Sequence, residues 1–385
     1  MLRTDALDYD LPPALIATHP AEPRDAARLL LVRRERPDAP EHLCVRDLPG
    51  LLRPGDRLVF NTTRVLPARF VGRREDSGGH VQGLYLHEES LGAGPPGVWV
   101  ALIKSRRHRP GARVRLIAGH RPSPYVLEML EPAGDPPGAW RLRLHADVGE
   151  APPAPQVLDA VGLTPLPPYI LAARKAAHER PDDRTDRAQY QTVFASEPVA
   201  ASVAAPTAGL HFTPALLGAL ARAGVARSDV VLHVGAGTFK PVETEAVEEH
   251  PIHAEWCSMS GAAIAEIEHT RGGGGRVVAV GTTVARTLES YAPQAAGDRE
   301  APAAFATRLL ITPGYRFAWT DAILTNFHLP RSTLMALVAA RLQEPDEAPE
   351  VPGEPSGVTR LKRIYAEAVG RGYRFYSFGD AMLIL

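Results

Sequence analysis

The sequence predicts an α/β protein interrupted by a small all-β segment. Two patterns carry this. Between about residues 67 and 147, short runs with period near two are separated by Gly/Pro turns. Beyond about residue 200, apolar strand-like runs alternate with capped helical stretches, which favours an α/β layer architecture.

In chain order, Pro12 and Pro13 stand where a short helix would begin. Residues 28–32 (RLLLV) and 55–60 (GDRLVF) read as buried strands, the second ending in Asn61-Thr62-Thr63-Arg64. Six alternating runs follow, at 69–73, 80–87, 98–104, 113–117, 125–130 and 140–145. In the last, Trp140, Leu142 and Leu144 alternate with Arg141 and Arg143. Such spacing predicts a small antiparallel barrel or sandwich. Residues 151–168 are Pro-rich and read as an exit linker with a turn of helix near 157–161. Thr213 and Pro214 open a helix with Leu216, Leu217 and Leu220 on its apolar face, and Gly224 ends it. Residues 230–234 and 276–280 are apolar strands, the second parallel and covered on both faces, preceded by a flexible turn at 272–275. Ser332 caps a helix carrying Leu334, Leu337, Val338 and Leu342. A last helix spans about 360–369, and a strand-like stretch at 373–378 closes the chain. Residues 174–187, 294–304 and 344–357 hold too little apolar surface to offset ordering entropy and are expected as mobile surface loops.

At 385 residues the chain is expected to form about two or three domains, and no internal repeat is present. Lys+Arg number 43 against 44 Asp+Glu, for a net charge of −1, so RNA contact requires a local patch. Hydrophobic content of 45% excludes a wholly disordered chain. Cys44 and Cys257 cannot form a disulfide framework or a four-cysteine zinc site. There is no secretory leader pattern and no apolar run near the ~18 residues of a membrane helix, so the cytoplasm is the expected location.

Four loops carry residues suited to chemistry. In 203–212 (VAAPTAGLHF), small residues let a ligand approach the backbone just before a helix, and His211 suits a general base. A tight loop whose histidine is satisfied by backbone is the plainer alternative. In 232–239 (LHVGAGTF), Gly235 and Gly237 follow a buried strand, a ligand-edge pattern or a strand-end bulge. It is not a dinucleotide fingerprint, because Lys240 and Pro241 follow. In 280–286 (VGTTVAR), Thr282 and Thr283 suit a carboxylate or phosphate that Arg286 can clamp. Otherwise Arg286 pairs with Glu289 or Glu255. In 325–330 (TNFHLP), Asn326 and His328 can read the edge of a planar base with Phe327 stacking, or simply bond backbone. His250 and His253 have i, i+3 spacing but lack a zincin glutamate, so no catalytic metal is expected. Lys104, Arg106, Arg107, Arg109, Arg113, Arg115 and Arg121 fall in a stretch free of Asp and Glu, either a solvated face or a phosphate-backbone track.

Taken together, the motifs resemble the S-adenosylmethionine:tRNA ribosyltransferase-isomerase family of queuosine biosynthesis. The matching strings are DYDLPPALIA with EPRDAARLL, LVFNTTRVLPARF, TPLPPYI, YQTVF, AAPTAGLHF, LHVGAGTF, VAVGTT with RTLES, TNFHLPRSTL and YRFYSFGDAM, spread over nearly the whole chain. The resemblance implies a larger α/β domain (1–66 and 151–385) with an inserted small antiparallel β-barrel domain (67–150). It implies transfer and isomerisation of the ribosyl part of S-adenosylmethionine onto 7-aminomethyl-7-deazaguanine at the tRNA wobble position. Epoxyqueuosine forms; adenine and methionine leave. S-adenosylmethionine is a co-substrate, no metal or resident cofactor is used, the tRNA anticodon loop is the partner, and no obligate protein partner is evident.

Within that chemistry, the sulfonium acidifies the adjacent ribose C–H, and His211 or His233 is the candidate base. Thr207, Gly209, Phe212, Gly235, Gly237, Thr238, Gly281, Thr282, Thr283 and Arg286 are the candidate S-adenosylmethionine contacts. Phe212, Phe239 and Tyr315 are candidate adenine platforms, and Asn326 and His328 would read the splayed tRNA base. Lys104, Arg106, Arg107 and Arg109 would follow the tRNA backbone. The chain departs from the family pattern at Thr62, and at Val284 and Ala285, where the family reads Ser-Val. The segments between Ile170 and Tyr190 and before Val358 look longer than usual. The rivals are a diverged paralogue with another amine acceptor, an S-adenosylmethionine methyltransferase and a non-catalytic RNA-binding protein. The methyltransferase is disfavoured because no Gly-rich loop opens the chain.

Overall fold

A computed structural model describes residues 1–89, 97–105, 108–196, 200–235, 242–291 and 303–385. The strands are β1 (Arg28–Arg33), β2 (Arg36–Cys44), β3 (Arg57–Asn61), β4 (Arg64–Val65), β5 (Arg69–Arg74), β6 (His80–Glu89), β7 (Val98–Lys104), β8 (Arg113–Ala118), β9 (Arg121–Pro132) and β10 (Ala139–Ala146). They continue as β11 (Ala200–Ser202), β12 (Ala226–Leu232), β13 (Glu255–Met259), β14 (Val277–Val280), β15 (Ala303–Thr307), β16 (Ala322–Asn326) and β17 (Ala381–Ile384). The helices are α1 (Leu48–Leu51), α2 (Ala154–Val161), α3 (Pro168–Ala176), α4 (Asp183–Gln189), α5 (Pro214–Arg222), α6 (Gly261–Gly272), α7 (Thr282–Tyr291), α8 (Thr333–Leu342) and α9 (Ser356–Gly370).

Nine strands form one mixed sheet in the order β15-β13-β12-β3-β14-β16-β17-β1-β2. Its centre is parallel: β3 lies between β12 and β14, and β16 flanks β14. All four residues of β14 are buried, as a strand covered on both faces requires. On one face Leu29, Leu31, Phe60, Val278 and Leu324 pack with Leu216 and Leu220 of α5. On the other, Val59, Ala279 and Ile323 meet α6 and α7, while Leu30, Val32 and Met382 meet α8 and α9. Strand β2 escapes the alternation rule because it is an exposed edge strand bearing Pro37 and Pro40.

The six alternating runs at 69–145 all form strands. They pair antiparallel as β10-β7-β6-β5-β8-β9, and β10 pairs with β9, so the ring closes on itself. Phe70, Trp99, Leu116, Met129 and Leu142 are buried there. Helix α2 packs Val157, Leu158 and Val161 into the same cluster. The exit segment is thus longer in helix than its prolines suggest, because Pro153 and Pro155 sit where a first turn tolerates them.

Several expectations are corrected. The charged stretch 174–187 is not a free loop: it holds the end of α3 and the start of α4. Arg174 is buried, donates to Asp186 at 2.7 Å and caps the Thr18 carbonyl. Charge here is spent inside the protein. Residues 344–357 do form a loop, but Arg360 ties it down through Glu347 and Glu350. Of 294–304, residues 294–302 lie outside the described residues, and Ala303 begins β15. Strand β12 runs earlier than expected and ends at Leu232. Residues 373–378 are not a strand. Tyr373, Phe375 and Tyr376 fill the core under α9, Tyr376 has φ 72°, and the closing strand is β17.

Removing one partner of a buried ion pair leaves an uncompensated charge and costs about 3–5 kcal/mol. Arg174→Ala is therefore expected to destabilise the protein by about 3 kcal/mol in urea unfolding. A loss below about 0.5 kcal/mol, the ordinary surface value, would show that this pair is solvated.

Candidate active site

Ligand sites in open α/β sheets lie beyond the carboxyl ends of parallel strands where chain connections diverge. Here β12 and β14 flank β3 on opposite sides, which makes such a point. A chamber of about 50 Å³ sits there. Its lining includes Ala205–Ala208, Val234, Gly281–Thr283, Thr325–Leu329 and Tyr376. Three of the four sequence-predicted loops, with Val234 from the remaining one, therefore surround one space.

Gly281 ends β14 with φ +97°, a backbone state that side chains resist, and its N–H donates to the Leu324 carbonyl. Helix α7 starts at the next residue, so its first N–H groups and positive end favour an anion. The Thr283 hydroxyl is buried beside them with no hydrogen-bond partner among the described residues. Within the walls formed by the described residues, a space of this volume matches a carboxylate-sized group and is too small for a nucleoside.

Asn326 ends β16 inside this chamber. Its Nδ2 donates to the Tyr376 carbonyl at 3.1 Å, and this fixes which end of the amide is nitrogen. The second Nδ2 proton then goes to His211 Nε2 at 3.1 Å. His211 Nε2 must be an acceptor, so the ring is the neutral tautomer protonated at Nδ1. Burial pushes its pKa down to about 4, against an opposing pull from Asp380. Asn326 Oδ1 is buried and unpartnered among the described residues. His328 bonds Thr325 through Nε2 at 2.9 Å, and burial pushes its pKa down to about 3.

A larger cavity of about 430 Å³ adjoins the chamber; Val234 and Leu334 line both. Its walls come from the six-stranded ring (His87, Asp135) and from the main sheet (His233, Glu255, Trp256, Arg286). His253 and Asp135 join the two sides at 3.0 Å. Arg286 pairs with Glu255 and donates to Leu309 O at 3.0 Å; its Nη2 has no partner among the described residues. Glu255 also accepts from the Gly235 N–H at 3.1 Å. Burial lowers the His233 pKa, and its Nδ1 is unpartnered among the described residues.

Not every expected residue reaches these spaces. Phe212 is fully buried between Phe60 and Phe194, so it offers no face to a base. A Cβ on Gly209 would meet the Phe194 ring at 2.7 Å, so its smallness serves packing. Tyr315 donates to Glu289 at 3.3 Å and packs on Phe317. Glu289 is engaged by three backbone N–H groups, so the partner of Arg286 is Glu255 and not Glu289. Thr207 lines the small chamber, whereas His211 stands behind Asn326. Gly237, Thr238 and Phe239 lie outside the described residues, as do Arg106 and Arg107. On the ring, Arg109 pairs with Asp76, Arg113 with Glu75, and Arg115 with Glu75 and Asp147. Lys104 is exposed. Not legible in the sequence were the places of Glu255 and Trp256 in the wall of the larger cavity and of Tyr376 in that of the small chamber. Only Tyr376 stood in a matching string, and its left-handed backbone was not legible there.

Both departures prove local. Val284 and Ala285 are fully buried in the apolar cluster under α7, away from the chamber lining. Thr62 sits at the end of β3, buried, with its N–H on the Val230 carbonyl. Among the described residues, no group of three or more His, Cys, Asp or Glu side chains is arranged to hold a metal ion. No helix among them is long and apolar enough to cross a membrane.

A mixed α/β sheet with a chamber beyond its strand ends places the chain in the α/β class, with a space where such folds bind their ligands. The chain belongs to the queuosine biosynthesis protein family, whose model matches residues 4–384. It is 45% identical over 388 residues to the S-adenosylmethionine:tRNA ribosyltransferase-isomerase of Methylobacterium sp. (strain 4-46), covering 100% of this chain and 98% of that one. The same enzyme of Rhodospirillum rubrum is 45% identical over 386 residues, with 100% and 98% covered. Among solved structures, S-adenosylmethionine tRNA ribosyltransferase from Thermotoga maritima aligns with TM-score 0.51 and 32% identity, covering 99% of this chain and 100% of that one.

Because His328 is held neutral, the folded protein binds its proton only near pH 3, while the unfolded chain binds it near 6.5. Stability from this site is therefore present above 6.5 and lost as pH falls toward 3, by about 1.4 kcal/mol per pH unit. In urea titrations between pH 6 and 4, His328→Asn is expected to flatten the slope by about that amount. An unchanged slope would mean that His328 titrates normally.

Proposed function

We propose that this chain is an S-adenosylmethionine:tRNA ribosyltransferase-isomerase. It transfers and isomerises the ribosyl group of S-adenosylmethionine onto 7-aminomethyl-7-deazaguanine at the tRNA wobble position. Epoxyqueuosine forms, and adenine and methionine leave. The observation that carries this is likeness over the full chain, at about 45% identity, to enzymes so named. We read the closed ring as a small antiparallel β-barrel domain (67–150) inserted into a larger α/β domain (1–66 and 151–385), and the cytoplasm as its location. S-adenosylmethionine serves as co-substrate, with no resident metal or cofactor in the reaction.

The donor's carboxylate goes to the N-terminus of α7, where Thr283 supplies a hydroxyl and the small chamber supplies space. Asn326 Oδ1 can accept one donor from a ligand there. The sulfonium acidifies the neighbouring ribose C–H, and a neutral imidazole takes that proton. His233 is the better placed base, because its Nδ1 is free of the described residues and its ring lines the larger cavity. His211 has its acceptor nitrogen committed to Asn326, so it positions that amide.

Incubated with S-adenosylmethionine and precursor-bearing tRNA, the protein is expected to release adenine and to add an epoxycyclopentane unit to the tRNA, read by mass spectrometry. Release of S-adenosylhomocysteine would mark a methyltransferase. Adenine release that needs another amine in place of tRNA would mark a diverged paralogue. Thr283→Val, which keeps the shape, is expected to raise KM for S-adenosylmethionine about tenfold or more, the usual cost of a lost hydrogen bond to a charged group. His233→Ala is expected to lower kcat by about 100-fold or more. If His211→Ala does so and His233→Ala does not, the assignment of the base reverses.

A further inference from the structure

Trp256 stands out among the exposed large apolar side chains. At 41% exposure it is the only aromatic among those described; the others are Met1, Val148, Val193 and Val351. It lines the larger cavity, and its ring centroid lies 4.9 Å from that of His233 with 35° between planes. The main chain fixes this pair: the His233 N–H donates to the Trp256 carbonyl at 2.9 Å, just past the β12–β13 ladder. A tryptophan steadied by a neighbouring ring and left open to a cavity is a preformed stacking surface. The space of about 430 Å³ beside it falls in the range of small-molecule sites, whereas the adjoining chamber holds about 50 Å³.

We propose that Trp256, held beside His233, is the platform on which the adenine ring of the sulfonium nucleoside stacks. This rests on the function proposed above and adds a subsite to it. The two spaces adjoin at Val234 and Leu334. With the donor's carboxylate end in the small chamber, the adjoining larger cavity is the neighbouring space among the described residues that can take its nucleoside end. Adenine ring nitrogens are acceptors, and the Nη2 of Arg286, unpartnered among the described residues, is a donor in the cavity wall. Of the three aromatic residues proposed from sequence, Phe212 is in the core and Tyr315 is bound to Glu289, and Phe239 lies outside the described residues.

The test uses the full chain and two probes, S-adenosylhomocysteine and an unmodified anticodon stem-loop RNA. Emission from Trp256 is obtained by subtracting the spectrum of Trp256→Phe from that of the parent protein. S-adenosylhomocysteine alone is expected to quench it. Trp256→Ala is expected to raise KM for S-adenosylmethionine about tenfold, within the usual range for loss of a base–aromatic stack, with kcat little changed. Trp256→Phe is expected to restore most of the loss, which a merely structural side chain would not do. Quenching by the RNA but not by the nucleoside would overturn the assignment and give the platform to a tRNA base. An unchanged KM in Trp256→Ala that still releases adenine would overturn the subsite and leave the reaction standing. Quenching by S-adenosylhomocysteine in a protein that releases no adenine would keep the subsite and sink the reaction.

Discussion

One carboxamide holds the candidate site together. Asn326 Nδ2 has two protons, and it spends one on the Tyr376 carbonyl and one on His211 Nε2. Those partners are 50 and 115 residues away in sequence. A buried amide can satisfy both only if the end of β16, the short helical turn at Thr207–His211 and the irregular segment after α9 keep fixed positions. The left-handed backbone of Tyr376 fits the same constraint, since it presents a carbonyl to Asn326 where a strand would have paired it with a neighbour. The neutral state of His211 follows as well: burial disfavours its charge, and the amide fills its lone pair.

The opposite end of the chamber depends on backbone more than on side chains. Gly281, with φ +97°, permits the turn from β14 into α7, and a Cβ there would stand in ordinary contact, 3.7 Å, with that of Ala208. Small residues in AAPTAG and VGTT thus bring two loops to within contact and leave a space of carboxylate size. The Thr283 hydroxyl enters that space without a partner among the described residues, a costly state that a ligand oxygen would relieve.

Much of this was legible because the deciding signals were local. Alternation in the runs at 69–145 found every strand of the closed ring, and Thr213-Pro214 and Ser332 marked helix starts that their hydroxyls do cap. The convergence of the loops was legible only through the family resemblance, since no spacing rule brings residue 207 to residue 282 and residue 326. Failures came where tertiary context reverses a local rule. Composition made 174–187 look solvated, but Arg174 and Asp186 neutralise each other inside the protein. Alternating aromatics made 373–378 look like a strand, but those rings fill the core beneath α9. Phe212 sat in the right motif yet faces inward, while Trp256, in no motif at all, faces the cavity.

Charge bears on the rival picture of a passive RNA-binding protein. The basic stretch on the ring has no acid of its own, which invites a phosphate track. In the folded protein, Glu75 and Asp76 from the turn after β5, and Asp147 after β10, reach Arg109, Arg113 and Arg115. Surface pairs of this kind are weak individually, but each still lowers the net positive potential that counterion release draws on. A phosphate would have to displace a carboxylate to engage the same guanidinium. RNA held mainly by this face would therefore bind less tightly than the bare count of arginines suggests. Around the two adjoining spaces at the strand ends, by contrast, stand a buried amide oxygen, a hydroxyl and a guanidinium nitrogen without partners among the described residues: Asn326 Oδ1, Thr283 Oγ1 and Arg286 Nη2. Such a distribution suits an enzyme that pays for a small donor molecule with interior polar groups better than it suits a protein that only coats a phosphate backbone.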